Sequence, residues 1–152
     1  MANWCYNVIS TDSNQLITEF DRISKLNQKE NIGQQLFNED EYLFDISVLP
    51  DMLEYLTKWN FNIISILKLA IKLKIDFNHS YQELGNEIFG ENKSIDGRLY
   101  NRELSYEDFE LVIHNEETNE YTFNCEILED PENFYWKLLN TKNWELVEYD
   151  TY

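Results

Sequence analysis

At 152 residues and 18.4 kDa the chain is long enough to bury a core without metals or disulfides, and 43% hydrophobic with 15% aromatic content argues against disorder. A net charge of -17, from 29 acidic against 12 basic residues, argues against direct binding to nucleic acid or an anionic membrane and makes any charge-selected partner basic. With 4 Gly, 2 Pro, no low-complexity run and no internal repeat, the expectation is one domain over residues 1–152.

Cys5 to Ile9 has the aromatic and β-branched content of a short strand, so Trp4 and Cys5 are expected to open a buried strand. Thr11, Asp12 and Ser13 offer an N-cap, with Gln15 three residues after Asp12 to complete a capping box, and Leu16, Ile17, Phe20, Ile23 and Leu26 or Asn27 follow at helical spacing over residues 13–27. Residues 28–41 form a polar connection with a short turn around Leu36 and Phe37. YLFDISVL, 42–49, is a strand stopped by Pro50, and Met52 to Trp59 is read as another. Asn60 or Asn62 is the expected cap of a deeply buried helix, with Ile63, Ile64, Leu67, Ala70 and Ile71 as its stripe and Ile66, Leu69 and Leu73 widening it.

Lys74 to Glu83 alternates Ile75, Phe77, His79 and Tyr81 against polar residues, which predicts a strand in the middle of a sheet. Glu87 to Gly90 is a short extended piece, and Asp96-Gly97 marks a turn. Phe109–His114 and Tyr121–Leu128 bracket NEETNE as a hairpin with Glu116, Glu117 and Glu120 at its tip. Pro131 starts a last short helix with Phe134, Tyr135, Leu138 and Leu139 on its apolar side, and WELVEY, 144–149, is a final strand. This order predicts an α+β fold: a ferredoxin-like antiparallel sheet with helices packed on one face, plus a C-terminal hairpin and short helix.

The opening MANWCYN, with Asn3, Trp4, Cys5 and Asn7, resembles the MxNWCxN start of the YubB-type ferredoxin-like proteins, small proteins of plasmids, phages and genomic islands. YLTKW at 55–59, the helix ILKLAIKLK, and Tyr81, Glu83 and Gly85 resemble that family's aromatic-x-Thr-x-Trp strand, helix and Tyr-x-Glu-x-Gly strand end. Where the family carries a longer Pro-rich and Trp-Gly insertion, this chain has the short ISVLPDMLEYLTKW. The resemblance implies an architecture and a mobile-element setting, and carries no established chemistry.

Cys5 has no neighbouring His to make it a thiolate, and Cys125 alternates with Phe123 and Ile127 as on one strand face, so both thiols are expected to be structural and unpaired. Two Cys and two His without close pairing do not make a zinc site, and neither metal nor cofactor is expected. No glycine-rich nucleotide loop or GxSxG elbow occurs. If the chain is an enzyme or small-ligand binder, its pocket is expected near His79, Tyr81 and Glu83, with Glu87 across Gly85. The expectation is nevertheless a non-enzyme.

From Asn101 onward there are 14 Asp and Glu against 3 Lys and Arg, a net of -11. Glu126, Glu129, Asp130 and Glu132 run from a strand into a helix start, and Glu145, Glu148 and Asp150 lie on the last strand and tail. If these strands are neighbours, their carboxylates line one face with the hairpin tip. They would then imitate a row of phosphates, with Trp144 and Tyr149, and Tyr121, Tyr135 and Tyr152 nearby, as desolvated anchors.

The functional expectation is therefore an acidic, mobile-element-encoded binding protein of the cytoplasm. It would inhibit a basic, nucleic-acid-handling host defence protein by nucleic-acid mimicry or steric blocking. An acidic accessory domain that only gains solubility from its charge is the bland alternative.

Overall fold

The computed structural model describes residues 3–26, 34–35, 42–61 and 63–148. Its first six large elements are β1 (Trp4–Ser10), α1 (Asn14–Leu26), β3 (Tyr42–Val48), β4 (Met52–Lys58), α2 (Ile64–Leu73) and β5 (Phe77–Glu83), with a two-residue β2 (Gln34–Gln35) before β3. After a 3-10 turn (Leu84–Asn86) come β6 (Ile88–Ile95), β7 (Arg98–Glu103), α3 (Tyr106–Phe109), β8 (Ile113–Asn115), β9 (Glu120–Phe123), β10 (Glu126–Leu128), α4 (Pro131–Leu139) and β11 (Glu145–Val147). The large sheet runs β11-β7-β6-β5-β1-β4-β3-β2, and β10-β9-β8 form a separate three-stranded sheet.

The inner four strands, β5-β1-β4-β3, with α1 after β1 and α2 after β4, are a ferredoxin-like double split β-α-β. Each crossover helix returns the chain parallel to the strand it left, with one strand slotted between, so every neighbouring pair is antiparallel. β5 is central, as its apolar alternation predicts, and the β6–β7 hairpin extends the sheet beyond it. That hairpin turns on Asp96 and Gly97 at φ 51° and 73°, the left-handed pair that a two-residue turn requires.

Register decides which side chains are buried. Ile9 lies opposite Leu53 and His79, Asn7 opposite Tyr55 and Tyr81, and Phe77 opposite Ser94, which in turn faces Leu99. All of these lie on the face that α1 and α2 cover with Leu16, Ile17, Phe20, Ile63, Ile66, Leu67, Leu69 and Ala70. Burying each of the larger side chains contributes about 1.5–3 kcal/mol. Trp4 points the other way from Cys5: the thiol is fully buried, whereas the indole is about two-fifths exposed and meets Phe44 edge-on at 5.0 Å. Only half of the expected buried pair is therefore inside.

Of the three cap candidates before α1 the structure selects one, and the cap expected for α2 is absent. Ser13, not Asp12, caps α1, its Oγ accepting from Gln15 N at 3.3 Å, while Thr11 Oγ1 accepts from Ser13 N and donates to Asp76 O at 2.9 Å. Ile63 occupies the N-cap of α2 without a side-chain bond, and the Asn60 amide instead accepts from Phe61 N. Ile71 is about two-fifths exposed, and the buried stripe of α2 runs through Ile63, Ile66, Leu67, Leu69 and Ala70. Asn27, Leu36, Phe37, Asn62 and the side chains of Ile23 and Leu26 lie outside the described residues.

A second core joins Phe89 to Leu104, Phe109, Tyr135 and Leu139. Phe89 alternates with the inward Gly90, so α4 and the small sheet sit against the side of β6 away from α1 and α2. The expected strand at Phe109–His114 is mostly a helical turn, closed by a Ser105–Asp108 capping box, and only Ile113–Asn115 pairs. The run Tyr121–Leu128 is broken at Asn124 and Cys125, which take φ 49° and 66° to form a second tight turn. Cys125 is consequently exposed rather than buried.

Candidate functional site

The acidic residues expected to share one face are divided by the topology. β10 and β11 are not neighbours: β10 closes the small sheet, whereas β11 pairs with β7 at the far edge of the large one. Glu116, Glu117, Glu120, Glu126, Glu129, Asp130 and Glu132 belong to the small sheet and the start of α4, while Glu145 and Glu148 lie on and after β11. Tyr149, Asp150 and Tyr152 lie outside the described residues.

Asp130, Trp144 and Glu132 are among the expected contact residues that are engaged within the chain. The Asp130 carboxylate accepts from Asn133 N at 3.0 Å as the cap of α4. The Trp144 ring sits 4.2 Å from Lys93 Nζ and 4.6 Å from Arg102 Cζ, and Arg102 in turn pairs with Glu91 and donates to Asn140. Trp144 therefore closes a cationic clamp that pins the β11 end of the sheet. Glu132 receives a 3.5 Å bond from the Trp136 indole.

The small sheet has a polarised build. Phe123 meets Phe134 at 4.7 Å, and Tyr121 lies on the same side of β9, so this face packs towards α4. On the opposite face Ile113 and Ile127 both lie directly across from Thr122, forming a row over all three strands. These isoleucines are 67% and 62% exposed, although each would gain from burial. Around them stand Glu120 on the same face, Glu116 and Glu117 in the β8–β9 turn, and Glu129 just after β10, whereas Glu126 pairs with Phe123 and so belongs to the α4 side. No Lys or Arg nitrogen lies within 4.0 Å of these five carboxylates among the described residues. The turn is braced: Asn115 Oδ1 accepts from Glu117 N and Thr118 N, and His114, stacked on Tyr121 at 4.3 Å, bonds Asn119.

A second arrangement lies under the large sheet's helical face. Asn7 Nδ2 spends both hydrogens, on Cys5 O and Thr57 Oγ1, so its Oδ1 must accept from His79 Nε2 at 3.0 Å. That fixes His79 Nδ1 as the acceptor of Asn92 Nδ2, also at 3.0 Å. Asn101 Nδ2 donates to Asn92 Oδ1 and to the Tyr81 hydroxyl, which donates to Glu103. At the other end Thr57 donates to Asn60 O at 2.6 Å. Burial holds the His79 pKa down at about 3, so its ring is neutral, and burial also raises the Tyr81 hydroxyl and lifts the Cys5 thiol to about 11.

The network borders a cleft of about 410 Å³ between Phe61 and the β6-β7-β11 strands. His79 and Tyr81 lie beneath it, but Glu83 does not belong to it: its Oε1 accepts from Gly85 N at 3.1 Å. Glu87 is exposed beyond the 3-10 turn. Among the described residues no group of three or more His, Cys, Asp or Glu is placed to hold a metal, and no helix is long and apolar enough to cross a membrane.

Neither the isoleucine row nor the relay was singled out in the sequence. Three asparagines in strands, Asn7, Asn92 and Asn101, were the available signal, because Asn is disfavoured there unless its amide is bonded.

No curated protein and no solved structure matches the chain. A family model described as the ferredoxin-like domain in Api92-like protein matches residues 37–124, from before β3 to the turn after β9, and leaves the MANWCYN opening outside. With the split β-α-β order of the sheet and a match over more than half of its length, the chain belongs to the family of ferredoxin-like domains in Api92-like proteins.

Proposed function

We propose that this protein is an acidic binding protein whose small sheet docks on a basic, nucleic-acid-handling protein and blocks it. The observation that carries the proposal is the exposed Ile113–Thr122–Ile127 row rimmed by Glu116, Glu117, Glu120 and Glu129. An apolar centre supplies affinity once desolvated, and an unneutralised acidic rim supplies orientation and fast association with a positive surface. The net charge of -17 extends that attraction beyond the rim and disfavours nucleic acid itself as the ligand. Resemblance of the MANWCYN opening to YubB-type proteins of plasmids and phages favours a host defence protein as the target. The division of the carboxylates favours a compact patch over one continuous phosphate-like row, so steric blocking is the form of inhibition we favour.

The test replaces Glu116, Glu117, Glu120 and Glu129 by Gln, leaving Asp130 to cap α4. Binding to the basic target should fall by at least about tenfold and lose most of its salt dependence. Unchanged affinity and an unchanged salt slope would remove the small sheet from the interface.

A further inference from the structure

The cleft beside the polar relay has the chemistry of a site, and it shares no residue with the small sheet. Its base carries Asn92, which is 1% exposed and bonds His79 through one Nδ2 hydrogen, leaving the other without a protein acceptor among the described residues. Beside it, Asn101 spends both amide hydrogens on Tyr81 and Asn92 and so presents its Oδ1 as an acceptor. Glu103, whose Oε2 accepts from Tyr81, keeps a second carboxylate oxygen for the cleft. Glu145 pairs in register with Asn101 and therefore lies on the same face, diagonal to Glu103.

The walls are apolar, formed chiefly by Phe61, whose ring is fixed by stacking on Tyr81 at 3.8 Å, and by Leu99. Among the described residues no Lys, Arg or His lines the cleft. Acceptors thus outnumber donors, two of them are carboxylates, and the space of about 410 Å³ is within the range of small-ligand pockets.

We propose that this cleft binds a small organic cation with several N–H donors, of which an alkylguanidinium is the best match. The planar fork of a guanidinium would meet the Glu103 and Glu145 carboxylates, and its alkyl chain would lie against Phe61 and Leu99. The buried relay gives this site its preorganisation. Asn101 is held by Asn92 and Tyr81, Asn92 is held by His79, and each bond has a defined donor, so the amides do not rotate to suit a different ligand. A nucleotide is the wrong class, because its phosphates would enter a field set by two carboxylates and a strongly negative chain.

The test titrates the full chain with agmatine, an alkylguanidinium, and with butylurea, a neutral molecule of similar planar shape, following side-chain amide resonances by NMR. Agmatine should give saturable shifts at Asn92 and Asn101, and butylurea should give none. Glu103→Gln/Glu145→Gln, with circular dichroism confirming its fold, should weaken agmatine about tenfold or more, the loss of one charge-assisted contact. Glu116→Gln/Glu117→Gln removes the same charge elsewhere and should leave agmatine binding unchanged, which separates this site from the docking surface. Unsaturable shifts spread over the acidic surface, equal binding of butylurea, or equal weakening by the two double variants would each overturn the assignment.

Discussion

Stability should depend on pH through one buried ring. His79 has its pKa lowered to about 3 by burial, against about 6.5 in an unfolded chain. Between these values the unfolded state takes up a proton that the folded state refuses. The stability His79 confers is therefore complete above about pH 6.5 and drains away as pH falls towards 3. At about 1.4 kcal/mol per unit of differential binding, lowering the pH from 7.5 to 5.0 should cost about 2 kcal/mol from this residue alone. The assay is urea unfolding at the two pH values, for the wild type and for His79→Phe.

The variant keeps an aromatic ring but leaves Asn7 Oδ1 and Asn92 Nδ2 without partners, so it should be less stable by about 2–4 kcal/mol at pH 7.5. Its further loss on going to pH 5.0 should be about 2 kcal/mol smaller than that of the wild type, because every other titrating group is common to both chains and cancels. Equal losses would refute the reasoning, since they would mean that His79 takes up its proton in the folded state as readily as in the unfolded one.

Gly90→Ala should lower the melting temperature by several degrees, because the added Cβ would lie 2.8 Å from Arg102 O and 2.6 Å from Tyr81 Cζ, and overpacking of this kind costs about 1–3 kcal/mol. Differential scanning calorimetry measures it, and an unchanged transition would show that Tyr81 is free to move off Asn101 and Glu103. The two thiols should separate cleanly: Cys125 reacts with a disulfide reagent in the native protein, whereas Cys5, buried and raised to about 11, reacts only on unfolding. Two thiols titrating at one native rate would contradict the placement of Cys5 in the core.

The large sheet was legible because its strands alternate strictly. Phe77, His79 and Tyr81 all point inward, and that period marked β5 as central before any pairing was known. Helix ends were less legible. Asn60 has a good capping side chain, but Thr57 and Phe61 hold it in a local turn, and α2 starts uncapped at Ile63. The C-terminal region misled for a definite reason. Tyr121–Leu128 has strand composition throughout, yet Asn124 and Cys125 adopt left-handed backbone and fold it into a hairpin, which moves Cys125 outside and sets Ile127 across Thr122 from Ile113.

The acidic residues themselves could be counted from the sequence, but their grouping depends on β11 leaving the small sheet for the edge of β7, a long-range choice with no local signal. The relay was hidden likewise, because only register brings His79, Asn92 and Asn101 into one row and sets Asn7 diagonal to His79.

The central claim, that the small sheet docks on a basic nucleic-acid-handling protein, is tested most directly by affinity capture from host cells with the wild type and with Ile113→Ser/Ile127→Ser. The wild type should retain a basic protein that duplex DNA releases when added as competitor, and the variant, whose two changes lie on an exposed face and leave both cores intact, should retain little of it. Equal retention by the two proteins, or retention that duplex DNA does not disturb, would contradict the account.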